Sequence, residues 1–148
     1  MTQRGAGGAR HRLRAAERAC RAALFMFVAY SGFSALAFPP GSYADYAELM
    51  TTAWGVLQLI PALIALWAVA TGRVLWEWRM LPAMIVGVSM YAALGWVQAV
   101  TDVPSHGGRA GDISALVFVL AARFFYLWRK VVQAQIHVDA VRETEGDA

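Results

Sequence analysis

The chain has 148 residues, of which 59% are hydrophobic and 16% charged, with a formal net charge of +3 and a mean hydropathy of +0.46. A soluble domain this small has too little interior to hide so much apolar side chain, so composition excludes that class and makes the membrane the solvent. The single cysteine, Cys20, excludes a disulfide within the chain, a Cys-x-x-Cys redox pair and a thiolate metal cage.

Residues 1–21 form a basic arm carrying Arg4, Arg10, Arg12, Arg14, Arg18 and Arg21 against the single acid Glu17. Four apolar stretches follow, Ala22 to Phe38, Met50 to Thr71, Met80 to Val100 and Ile113 to Trp128, and residues 129–148 form a short charged tail. Each stretch is long enough, or nearly so, to cross a hydrocarbon layer of about 30 Å at a rise of about 1.5 Å per residue. The predicted fold is therefore all-α, a membrane-embedded four-helix bundle spanning residues 22–128.

Charge sets the orientation, because short loops rich in Lys and Arg stay in the cytoplasm. The arm is basic; the turn Phe38 to Leu49 has no Lys or Arg but holds Asp45 and Glu48. The turn Gly72 to Arg79 carries Arg73 and Arg79, the turn Thr101 to Asp112 carries only Arg109, and the tail carries Arg129, Lys130 and Arg142. This alternation places both termini in the cytoplasm and the protein in the cell membrane as a multi-pass protein. Tyr43 and Tyr46 then fall at the outer interface, and Trp76, Trp78 and Trp128 at the inner one, where aromatic side chains anchor.

The basic arm, the apolar run from Ala22 and the sequence Ala35-Leu36-Ala37 also have the outline of a secretory signal, with cleavage after Ala37 leaving three spans. A long n-region, and a run that continues into the helix-ending turn Pro39-Pro40-Gly41, favour a retained first span. Retained, the arm has two readings. It is a topology signal alone, or its Arg10, Arg12, Arg14, Arg18 and Arg21 extend the first helix and meet anionic headgroups on the cytoplasmic side, joined there by Arg129 and Lys130.

The spans are poor in chemistry. His11, His106 and His137 all lie outside them, so no intramembrane imidazole pair can hold haem or a metal. No Asp or Glu falls within a span, whereas proton-coupled transporters place a carboxylate there. Glu77, between Trp76 and Trp78, is expected to pair with Arg73 or Arg79. Asp102, His106 and Asp112 stand among glycines in a loop and give no metal site, and Asp112 is expected to cap the helix beginning at Ile113. No cofactor, metal ligand set or nucleic-acid-binding pattern is present, and no nucleophile with its base, carboxylate pair or phosphate-binding loop can be assembled. A non-enzymatic protein follows.

Arg123 is the one charge inside a span. It stands five residues, about 7.5 Å, from Trp128, so its stem is expected to snorkel to the headgroups; a contact with Gln58, Gln98 or a tyrosine hydroxyl is the alternative. Gln58, Gln98 and the mid-span Pro61 read as helix-packing features, as do Gly87 and Gly95, which with Ala83 lie along one side of the third span and admit a close neighbour. That neighbour is another helix of the chain, a second copy, or another membrane protein.

The hairpin from Thr71 to Pro82, with Gly87, Tyr91 and a last span that meets Arg123 before a charged tail, resembles small four-span membrane proteins encoded by phages or prophages of GC-rich Gram-positive bacteria. The resemblance covers about half the chain and implies a context: a small membrane protein that acts through lipids or another membrane protein. It also implies an alternative, since some proteins of this size and source are holins, which open lesions that release a cell-wall hydrolase. The charged tail Arg129 to Ala148 suits a holin, although holins more often have fewer spans. A small transporter or membrane enzyme is the weakest reading.

Overall fold

A computed structural model describes residues 3–38, 48–101 and 106–146, with side chains placed for 11–38, 49–101, 108 and 110–136. The expectations for Pro39 to Gly41, Tyr43, Tyr46 and Asp102, and for the side chains of Arg4, Arg10, His106, His137 and Arg142, lie outside these residues. Four helices run in chain order, α1 (Gln3–Ala37), α2 (Glu48–Thr71), α3 (Val74–Thr101) and α4 (His106–Gly146). Each contains a segment long and apolar enough to cross a membrane.

Three boundaries differ from the sequence reading. The hairpin expected over Gly72 to Arg79 shrinks to Gly72 and Arg73, because Gly72 adopts φ +73°, a left-handed conformation that glycine takes at little cost. The Arg73 amide then donates back to the Ala68 carbonyl at 2.9 Å, closing the C-terminus of α2 in a Schellman arrangement, and the Arg73 carbonyl accepts from Trp76 at 3.1 Å and opens α3. Trp76, Glu77 and Trp78 consequently belong to the first turns of α3 rather than to a loop. At the other end α4 begins at His106, so Asp112 is inside the helix and does not cap it. The helices also extend through the arm and the tail, a continuation that one reading of the arm already allowed for α1. α1 and α4 continue through them, to lengths of about 52 and 61 Å at a 1.5 Å rise.

The core follows from a stripe on each helix spaced alternately four and three residues apart, the pattern that lets neighbouring helices pack side by side at shallow angles. Phe25 and Val28 carry it on α1, Trp54, Gln58, Ala65 and Ala68 on α2, Leu81, Met84 and Val88 on α3, and Leu120 and Leu127 on α4; all are buried. Pro61 continues the α2 stripe and is buried too, leaving the Leu57 carbonyl without its usual helical donor. Facing outward are large apolar side chains on every helix, among them Phe33, Leu63, Val86, Trp96 and Phe118. An exposed apolar surface of this extent suits lipid and is a liability in water.

Packing is sequential. α1 lies on α2, α2 on α3 and α3 on α4, whereas α1 and α4 meet far less. α1 and α2 come so close that a Cβ on Gly32 would stand 2.7 Å from the Leu59 amide nitrogen and 2.8 Å from the Gly55 carbonyl. Gly87 performs the same service for α3 against Leu57 and Gln58, and Gly95 for α3 against Ala110 of α4. Both predicted packing glycines are thus occupied by helices of the same chain.

A buried ion ring and an open cleft

The end of the bundle at the α2–α3 turn holds four charges from three helices. Glu77, 1% exposed, places one carboxylate oxygen 2.8 Å from Nε of Arg123 and the other 3.1 Å from Nη1 of Arg21. Both guanidinium groups also face Glu17, at 3.5 Å from Arg123 and 3.8 Å from Arg21. The signs alternate around a closed ring of zero net charge, Glu77 on α3, Arg21 and Glu17 on α1, and Arg123 on α4.

Helical register explains the ring. Arg21 precedes Phe25 by four residues on α1, Glu77 precedes Leu81 by four on α3, and Arg123 falls between Leu120 and Leu127 on α4, so each ion lies on its helix's buried stripe. A charge there needs a partner, because an isolated ion taken out of water loses several kcal/mol of solvation even after relaxation. With each carboxylate oxygen engaged by a guanidinium, Glu77 serves to hold α1, α3 and α4 together.

This arrangement corrects four expectations. Arg123 does not simply snorkel, since its side chain is 14% exposed and ends on Glu77. Its partner is none of Gln58, Gln98 or a tyrosine hydroxyl, although its guanidinium also rests 5.2 Å from the Tyr126 ring centre. Glu77 pairs with Arg21 and Arg123 rather than with Arg73 and Arg79, which lie over the rings of Trp67 and Trp76 at 4.9 and 6.0 Å. Acids do therefore lie within three of the four membrane-length segments, as Glu17, Glu77 and Asp112. Arg21, assigned to headgroup contact, is turned inward. Arg12, Arg14, Arg18, Arg129 and Lys130 are exposed.

Aromatic side chains wall the ring. Trp78 is half-buried, stacked on Phe124 at 6.1 Å and edge-on to Trp128 at 6.5 Å. Its indole nitrogen has no hydrogen-bond partner. Trp76 and Trp128 are 41% and 48% exposed.

Toward the other end, the weak α1–α4 seam opens into a cleft of about 420 Å³. Its floor comes from α2 and α3, with Trp54 and Tyr91 in ring contact at 5.1 Å and Gln58 beside them. Its walls are α1, with Tyr30, Ser31 and Ser34, and the start of α4, with Asp112. Gln58 donates from Nε2 to the Gly87 carbonyl at 3.1 Å, bridging α2 and α3, while its Oε1 is buried and unpartnered. Gln98 is buried nearby on α3. The Trp96 indole donates to Ser114 at 3.0 Å and ties α3 to α4 at this end. Among the described residues no group of His, Cys, Asp and Glu could hold a metal ion.

Sequence reasoning missed the ring and the cleft alike. The ring's signal was available in the four-and-three spacing that runs through its residues, but hydropathy had already drawn the span edges to leave charge outside. Gly32 and Gly55 were also missed, since they lie on different helices and form no short motif. No protein-family model, curated protein or solved structure matches this chain.

Proposed function

We propose that the protein is a non-enzymatic, multi-pass protein of the cell membrane, both termini cytoplasmic, that acts by contact: its basic arm with anionic headgroups, and its outer faces with another membrane protein or a second copy. The observation that carries this reading is the division of the arm's arginines. Arg21 turns inward to the ion ring, whereas Arg12, Arg14 and Arg18 stand exposed on the same continuous helix. A helix emerging beside the bilayer with such a surface attracts anionic lipid at about 1 kcal/mol per basic residue near the surface. The basic turn of Arg73 and Arg79, with exposed Arg129 and Lys130, adds to that attraction on the same end of the bundle. A phage origin rests on the resemblance of the hairpin and last span alone.

The test is stability against lipid charge. Reconstituted in nanodiscs, the protein is expected to unfold at higher temperature in phosphatidylglycerol mixtures than in phosphatidylcholine, and the combined change of Arg12, Arg14 and Arg18 to Gln is expected to reduce the difference, leaving the part due to the other basic residues. An unchanged difference in that variant would remove the arm from the proposal. Abrupt permeabilisation of liposomes by the unaltered protein would replace the contact reading with the holin-like one.

A further inference from the structure

The cleft between α1 and α4 has the lining of a ligand site. About 420 Å³ falls within the range of about 300 to 1,000 Å³ typical of small-molecule pockets, which combine apolar walls with a few placed polar groups. Here the lining is apolar and aromatic, with hydroxyl, amide and carboxylate groups placed among it. Ser31, Ser34, Tyr30 and Tyr91 offer hydroxyl oxygens, and Gln58 brings a buried acceptor with no partner. An unpaired acceptor in a buried site has lost its hydration without replacement, which rewards a ligand that donates to it.

Charge narrows the ligand further. Asp112 is the only charged residue in the lining, and no Lys or Arg accompanies it among the described residues. A carboxylate beside aromatic rings favours positive charge twice, through its own charge and through the ring quadrupoles of Trp54, Tyr91 and Tyr30. The ion ring cannot supply a competing cation, because Arg123 lies eleven residues, about 16 Å, along α4 from Asp112 and its charge is matched by Glu77 and Glu17.

From these observations we infer that the cleft binds a lipophilic organic cation carrying N–H donors, with its ring system between the α1 wall and the Trp54–Tyr91 floor, a donor on Gln58 Oε1 and its charge toward Asp112. Access is lateral. Tyr30 and Phe27 line the cleft and are 69% and 62% exposed on the outer surface of α1, so a membrane-dissolved ligand meets the opening without crossing the bundle. The site does not depend on the contact function or on the orientation of the chain.

The probe is ethidium, an aromatic cation with two amino groups, titrated by fluorescence polarisation onto the full chain in phosphatidylcholine nanodiscs; 2-aminoanthracene is the uncharged N–H donor for comparison, and empty nanodiscs correct for partition into lipid. Expected are saturable binding of one ethidium per chain and binding of 2-aminoanthracene at least tenfold weaker. Asp112→Asn, at an exposed position that leaves the core intact, is expected to weaken ethidium at least fivefold and 2-aminoanthracene less than twofold. Gln58→Leu is expected to weaken both. Should that variant fold poorly, Ser34→Leu on the α1 wall, expected to lower ethidium affinity at least fivefold by filling the cleft, takes its place. Binding no greater than to empty nanodiscs, equal affinity for the two probes, or ethidium affinity unchanged in Asp112→Asn would each overturn the inference.

Discussion

Glu77 is one turn into α3, yet it is 1% exposed and answers two guanidinium groups. Its companion Glu17 faces the same arginines while 51% exposed. The two acids should therefore differ sharply. Glu77→Gln preserves shape but leaves Arg21 and Arg123 facing each other with only the solvated acid between them, and breaking a buried pair this way costs about 3 to 5 kcal/mol. Glu17→Ala removes pairs that water already screens, worth about 0 to 1 kcal/mol. Thermal unfolding in detergent checks the order, and a loss in Glu17→Ala as large as in Glu77→Gln would contradict the ring as described. Arg123→Lys is expected to fall between them, since a single ammonium cannot span Glu77 and Glu17 as the planar fork does. How much of this was legible turns on one rule. The residues were all noticed in the sequence, but a hydropathy boundary treats a charge as a reason to end a span, whereas the buried stripe of α3 runs straight back from Leu81 to Glu77. Charge pairing between residues 46 and 56 positions apart leaves no local trace at all.

At the scale of elements, glycines separate the demands of backbone from those of packing. Gly32 occupies an approach so tight that a methyl group would meet the Leu59 and Gly55 backbones, which cannot turn aside as a side chain can. Gly32→Ala should cost about 1 to 3 kcal/mol through overpacking. Gly72 has open space around it but φ +73°, so Gly72→Ala should cost about 1 to 2 kcal/mol through left-handed strain alone. Gly108 and Gly111 have neither constraint. Alanine there should stabilise the start of α4 by up to about 1 kcal/mol each. Unfolding midpoints of the four variants would have to follow that order, and a neutral Gly32→Ala would mean that α1 and α2 lie farther apart. The four helices themselves were legible from apolar run length; their ends were not. Gly72 marked a turn, but only its positive φ shows that two residues suffice. At Asp112 a plausible cap was overridden by a helix that starts six residues earlier, among glycines that propensity disfavours.

The whole molecule is a row of helices packed in order, with α1 and α4 left as a seam that the ion ring ties at one end and the cleft parts at the other. Under the proposed orientation the ring faces the cytoplasm, so a reporter active only there should work when fused after Ala148 and fail when inserted within residues 39–47; a reversed result would invert the charge assignment. The same geometry bears on whether the protein breaches membranes. A lesion needs polar surface to line it, whereas every helix presents large apolar side chains outward along its membrane-length segment, and the buried charges of the ring are matched among themselves. Expressed alone at low level in a bacterial host, the protein should leave growth and membrane potential intact. A holin-like protein should instead accumulate silently and then collapse the potential abruptly, with lysis once a hydrolase is supplied. Slow toxicity at high expression is common to overproduced membrane proteins, so the discriminating reading is the timing at low expression. A sharp, delayed collapse there would overturn the contact function in favour of lesion formation.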